Sequence, residues 1–153
     1  MSSADIYLGN PNLKKANTQV EFTKENIEEF IKCKEDPVYF AMNYVKIVTL
    51  DEGLMPFEPY HFQERLINNF HHNRFNICKM PRQTGKSTTV VAFLLHYAVF
   101  NASVNIGILA NKAATARELL GRLQTAYENL PKWMQQGIIS WNKGSLELEN
   151  GSK

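Results

Sequence analysis

Apolar positions along this chain follow two rhythms. Ile27, Phe30 and Ile31 recur at helical spacing, as do Phe62, Leu66, Ile67 and Phe70. Val38, Phe40, Ala41, Tyr44, Val45 and Ile47 form a denser helical set. The first helix runs from a Thr23 cap, with Asn26 at the third position, to about Lys34. Asp36-Pro37 restarts the chain as an N-cap followed by proline, and the second helix reaches about Val48. Asp51-Glu52-Gly53 is a turn, Pro56-Phe57-Glu58-Pro59-Tyr60 an extended lead-in, and a third helix spans about His61 to Asn73.

The second half carries two short apolar runs. Phe75–Met80 and Val104–Ala110 read as core strands, each followed by a helix, Lys86–Phe100 and about Ala113–Asn129. Strand–helix–strand–helix order predicts an α/β fold with a parallel sheet flanked by helices. Ile138–Trp141 and Ser145–Leu148 read as strands about an Asn142-Lys143-Gly144 turn. Asn150-Gly151 is a strong hairpin signal, so a partner strand is expected after it. Residues 1–20 read as a flexible tail, 21–56 as a helical region, and 57–153 as the first part of a nucleotide-binding domain.

Between the first strand and the long helix lies Pro81-Arg82-Gln83-Thr84-Gly85-Lys86-Ser87. Strand, tight loop and helix opening on Gly-Lys-Ser is the layout of a P-loop (Walker A). Loop and helix-start N–H groups face the phosphates, where the helix dipole also favours negative charge. Lys86 reaches the β- and γ-phosphates, and Ser87 puts its hydroxyl on Mg²⁺. Met80 stands where the usual pattern has its first glycine. Arg82 adds a planar cation with five donors. The competing reading is a strand–turn–helix that binds nothing, with a solvated arginine.

Upstream, Gln63 can read one edge of adenine while Phe62 stacks on its face. Gln63 precedes Arg82 in the order and spacing of the Q-motif of helicase-like ATPases. The alternative puts Phe62 in the core and leaves Gln63 exposed.

Bulk properties narrow the picture little. The 153 residues suit one domain, with 44% hydrophobic and 21% charged residues and a net charge of +2. The near-neutral balance neither demands nor excludes nucleic acid. Lys112, Arg117, Arg122 and Lys132 mark a basic side that could touch phosphate backbones or simply face water. Cys33 and Cys78 read as reduced thiols of a cytosolic protein. His61, His71, His72 and His96 fit no common zinc spacing. No apolar run suggests a membrane span.

Hydrolysis on a P-loop needs a carboxylate for Mg²⁺ and a group that activates water. The only aspartates are Asp5, Asp36 and Asp51, all before the loop; Glu118, Glu128, Glu147 and Glu149 follow it, and none ends a buried apolar run. The chain therefore reads either as the amino-terminal piece of an ATPase or as a nucleotide binder that does not turn nucleotide over.

From Phe57 to Lys153 the chain resembles the N-terminal ATPase domain of the large terminase subunit of tailed phages, nearest the T4-like packaging motor. The matching pieces are Tyr60-His61-Phe62-Gln63, Arg82 to Ser87, Gly107 to Lys112 and the long run Trp141 to Ser152. The resemblance implies a RecA/ASCE-like fold, incomplete here, and ATP-driven movement of double-stranded viral DNA into a capsid. It implies that Arg82 senses the γ-phosphate, Lys86 and Ser87 hold ATP and Mg²⁺, and Gln63 reads adenine. It also implies a portal protein and a small terminase subunit as partners, a ring in the full-length protein, and a place in the infected host's cytoplasm. Family members are ATPases and endonucleases; the Walker B aspartate, catalytic glutamate and nuclease domain find no counterpart here. Another helicase-like DNA-dependent ATPase, or a non-hydrolysing nucleotide-binding module, are the alternatives.

Overall fold

A computed structural model describes residues 5–49 and 51–153. In chain order it contains β1 (Ile6–Tyr7), β2 (Asn10–Lys14), α1 (Lys24–Glu35), α2 (Pro37–Tyr44), β3 (Lys46–Thr49) and β4 (Gly53–Pro56). α3 (His61–His72), α4 (Lys86–Phe100), α5 (Ala113–Glu128), β5 (Ile138–Trp141) and β6 (Leu146–Leu148) follow.

The helix starts follow from local chemistry. Thr23 accepts from the Asn26 N–H (3.2 Å) while the Asn26 side chain accepts from the Thr23 N–H (3.3 Å), closing a capping box. Asp36 Oδ1 accepts from the N–H groups of Val38 and Tyr39, both at 2.9 Å, with Pro37 in the first turn where no N–H is needed. α4 starts on Gly85, whose φ of 71° is left-handed.

α4 is the axis of the core. Val91, Ala92, Leu95, His96, Ala98, Val99 and Phe100 are all buried, against α2, α3 and α5. Phe40 of α2 meets the Phe100 ring edge-on at 5.3 Å, and Phe30 of α1 meets it at 4.8 Å. Such edge-to-face pairs add to the burial of area itself. These contacts pack α4 against its neighbours, while Ile27 and Ile31 of α1 and Phe62 of α3 stay exposed.

Among the described residues the sheets are three antiparallel pairs, β1–β2, β3–β4 and β5–β6. This corrects the expectation of a parallel core sheet. Phe75–Met80 and Val104–Ala110 form no strand. A ladder needs a partner, and among the described residues most of these two runs has none: Phe75, Ile77 and Leu109 are 82%, 102% and 92% exposed. Continuous apolarity shows what a segment would bury, not that a neighbour is there. One beginning of a ladder exists. Lys153 donates its N–H to Val104 O (2.9 Å), and Ile106 donates to Lys153 O (2.7 Å), the bonding of a parallel pair. Beside it lies a cleft of about 460 Å³, lined by Ile106, Ile108, Leu120, Leu123, Leu146 and Leu148.

Two further differences concern the first third. Within the described part of residues 1–20, read as a flexible tail, β1–β2 packs onto the body, with Leu13 only 2% exposed. Lys15 bridges Ile138 in parallel, and buried Gln135 accepts from the Lys14 N–H (3.0 Å) and donates to Asn12 O (3.0 Å). The second helix stops at Tyr44 rather than Val48, because Lys46–Thr49 pairs with Gly53–Pro56 across the Asp51-Glu52-Gly53 turn. Val45 is buried at the junction, so its place in the helical pattern masks the change of element.

Candidate functional site

The loop from Pro81 to Gly85 leads straight into α4. Gln83 and Gly85 both have left-handed backbone, φ 60° and 71°. The Thr84 hydroxyl donates to Pro81 O (3.1 Å), closing the loop on itself. Lys86 folds back over it: its Nζ donates to Met80 O (3.3 Å) and to Pro81 O. Gly85 brings no side-chain cap to the helix start. The first N–H groups of α4 have no intrahelical acceptor, and the positive end of its dipole lies here. Arg82, Gln83 and Ser87 are exposed, whereas Thr84, Gly85 and Lys86 are half-buried.

Lys86 is held on carbonyl oxygens, Arg82 lies exposed in the same loop, and Gly85 takes the left-handed turn that suits a glycine. The predicted residues from Pro81 to Ser87 are therefore contiguous and positioned as a loop–helix junction.

Gln63 and Phe62 lie the other way round from the alternative that put Phe62 in the core and Gln63 at the surface. Gln63 is 3% exposed and Phe62 43%. Gln63 Oε1 accepts from the Tyr60 N–H (2.9 Å), and its Nε2 approaches Gly85 O (3.5 Å). Phe62 stacks outside on Tyr60, with ring centroids 5.8 Å apart and planes at 10°. Of the apolar face predicted from Phe62, Leu66, Ile67 and Phe70, α3 buries Leu66 and Ile67 together with Gln63, while Phe70 is half-buried and Phe62 exposed.

Residues 77–153 match the family described as the terminase large subunit, T4likevirus-type, N-terminal. The chain belongs to that family. The match takes in the loop, α4, the Val104–Ala110 run, α5, the β5–β6 hairpin and the Asn150-Gly151 turn. Gln63 and α1–α3 precede it.

Several residues of this terminase piece escape a sequence reading. Thr89 is buried, and both its N–H (2.9 Å) and hydroxyl (3.0 Å) donate to Gly85 O, holding the glycine from the helix side. The signal was available, since a threonine four residues after the helix start can bond back one turn. Asn150 holds the other end of α4: its Nδ2 donates to Ala98 O (2.9 Å) and Asn101 O (3.1 Å), while its Oδ1 accepts from the Ser152 N–H (3.0 Å). The Ser152 hydroxyl also donates to Asn101 O (2.8 Å). The Asn150-Gly151 turn therefore forms as expected, but the chain beyond it runs to Val104–Ile106.

Other titratable groups are bound up in structure. His96 is buried, its Nε2 bonded to Cys33 O (2.9 Å) and its Nδ1 without a hydrogen-bond partner among the described residues. Burial holds its pKa down to about 4. Burial also pushes the Cys33 thiol up to about 12, which makes it an inert core residue. Glu29 Oε1 accepts from the hydroxyls of Tyr39 (2.8 Å) and Tyr44 (2.9 Å); the Tyr39 bond is the main cause that holds its carboxyl below the usual range. Among the described residues no group of three or more His, Cys, Asp or Glu is placed to hold a metal. On the basic side, Arg122 is tied to Glu118 (2.7 Å), and burial lowers the Lys132 ammonium. No described helix is long and apolar enough to cross a membrane.

Proposed function

We propose that this chain supplies the ATP-binding loop of a phage DNA-packaging motor. The observation that carries this is Lys86 folded over the Met80 and Pro81 carbonyls at the head of a glycine-started helix. Phosphate oxygens offer that ammonium stronger, charged acceptors than the carbonyls it holds. Lys86 then binds the β- and γ-phosphates, Ser87 faces the Mg²⁺ that ATP brings, and Arg82 at the exposed tip meets the γ-phosphate. Pro81, Gln83, Thr84 and Gly85 shape the loop, and the Tyr60–Phe62 pair offers a stacking surface for the base. ATP with Mg²⁺ supplies the driving chemistry for translocation; this chain's residues bind and orient it.

The same reading places the protein in the infected host's cytoplasm, where double-stranded viral DNA, a portal protein and a small terminase subunit are its partners. A ring of large subunits on the portal belongs to this reading too.

Hydrolysis by these residues alone is not part of the proposal. Glu118 is engaged with Arg122, Glu128 with Asn10 (3.0 Å) and Glu149 with Lys14 (3.6 Å). That favours a second reading of this 153-residue chain as a nucleotide-binding module without turnover. Titrating ATP with and without Mg²⁺ tests the assignment. Wild type should bind ATP more tightly with Mg²⁺, and Ser87→Ala should lose most of that gain. An equal Mg²⁺ effect in both proteins removes Ser87 from the site.

A further inference from the structure

We propose that Gln63 is a positioning residue of the phosphate loop, acting on the triphosphate through Gly85 rather than through the base. This rests on the reading of the loop as a triphosphate site. Reading adenine takes a donor and an acceptor of one amide at the same time. In Gln63 the acceptor is committed, since Oε1 takes the Tyr60 N–H at 2.9 Å within the first turn of α3. That bond orients the amide and turns Nε2 onto the back of the loop, 3.5 Å from Gly85 O. The whole side chain is buried, with no open edge to offer a ligand.

The contact at Gly85 is one of shape. A Cβ on Gly85 would stand 2.5 Å from Gln63 Nε2, so α3 and the loop approach as closely as a glycine allows. Gly85 O already accepts from the Thr89 N–H and hydroxyl at 2.9 and 3.0 Å, and Gln63 is its third and longest donor. Thr89 on one side and Gln63 on the other therefore clamp the peptide that precedes Lys86 and Ser87. The direction of the next N–H groups follows from that peptide. Loss of the Gln63 wall loosens them whatever base the ligand carries.

The test is to titrate the full chain and its Gln63→Ala and Gln63→Met variants with Mg²⁺ complexes of ATP, GTP and inorganic tripolyphosphate. Gln63→Ala should weaken all three by one common factor, about five- to tenfold. Gln63→Met, which keeps bulk without the amide, should fall between. Loss confined to ATP, with tripolyphosphate unchanged, would make Gln63 a base reader; no change with any ligand would make it inert, and either result overturns the proposal. Amide exchange from Gly85 to Thr88 in the nucleotide-free chain gives a ligand-independent check: it should rise about fivefold in Gln63→Ala, which removes the wall, and an unchanged rate overturns the clamp. If wild type binds none of the three ligands while exchange still rises, the triphosphate reading fails and the clamp survives as structure.

Discussion

Asn150 donates its side-chain amide to the carbonyl of Asn101 (3.1 Å), just past the last turn of α4. A bond to Ala98 O (2.9 Å) accompanies it, so one side chain satisfies carbonyls that the helix leaves bare. The loop from Pro81 to Gly85 and this plug occupy opposite ends of the same helix. Asn150→Ala leaves those carbonyls short of donors and should cost about 2 kcal/mol. Asn150→Asp should cost more despite its equal size, since it replaces the donor by a charge at the negative end of the helix dipole. Thermal unfolding of both variants checks the order; Asp at least as stable as Ala contradicts it.

Gly137 faces a similar constraint in the hairpin. A Cβ there would lie 2.5 Å from Ala16 Cα and 2.5 Å from Glu149 Oε2. Burial raises the Glu149 pKa, yet the N–H groups of Asn17 and Gly137 and the Lys14 ammonium outweigh it and hold the carboxyl below its usual range. Gly137→Ala should lower stability by about 1–3 kcal/mol through overpacking. Adding Glu149→Ala should recover part of that loss, because the two changes share one contact. Strict additivity in the double variant would show that the clash lies with Ala16 alone.

The buried imidazole predicts a pH dependence. His96 has its pKa lowered from 6.5 to about 4, so between those values the unfolded chain binds the extra proton and the folded one does not. Stability from this group is full above pH 6.5 and falls as pH drops towards about 4, by on the order of 3 kcal/mol in total. Urea unfolding across this window should show a shallower pH slope in His96→Gln than in wild type. Equal slopes would mean that His96 titrates normally.

Gln83 holds a left-handed backbone, φ 60°, without being glycine. That conformation costs a side-chain-bearing residue about 1–2 kcal/mol. Gln83→Gly should therefore raise the melting temperature or leave it unchanged, against the usual effect of a new glycine, whereas Gln83→Val should lower it. A drop with glycine as large as with valine would show that the loop does not hold this turn in solution.

Much of this was legible in the sequence where the cause is local. Thr23 with Asn26, Asp36 with Pro37, and Gly85 before Lys86 each mark a helix start by chemistry within four residues. The β5–β6 hairpin follows the same rule, as Asn142 Oδ1 accepts from the N–H groups of Gly144 (2.8 Å) and Ser145 (2.9 Å). What escaped depends on distant partners. Asn150 meets carbonyls about fifty residues away, and no spacing in the sequence announces that. Phe75–Met80 and Val104–Ala110 have strand-like composition, but composition does not supply a neighbour. In α3 the predicted Leu66 and Ile67 are buried, but Gln63 is buried with them and Phe62 is not, because both ends of the Gln63 amide find partners.

Lys86→Ala decides whether the loop before α4 binds a nucleoside triphosphate. Calorimetric titration with Mg²⁺ and ATP should give saturable binding in wild type and at least tenfold weaker binding in the variant, with the melting temperature little changed. Equal affinity in the two proteins would contradict the account and leave the loop a turn that binds nothing.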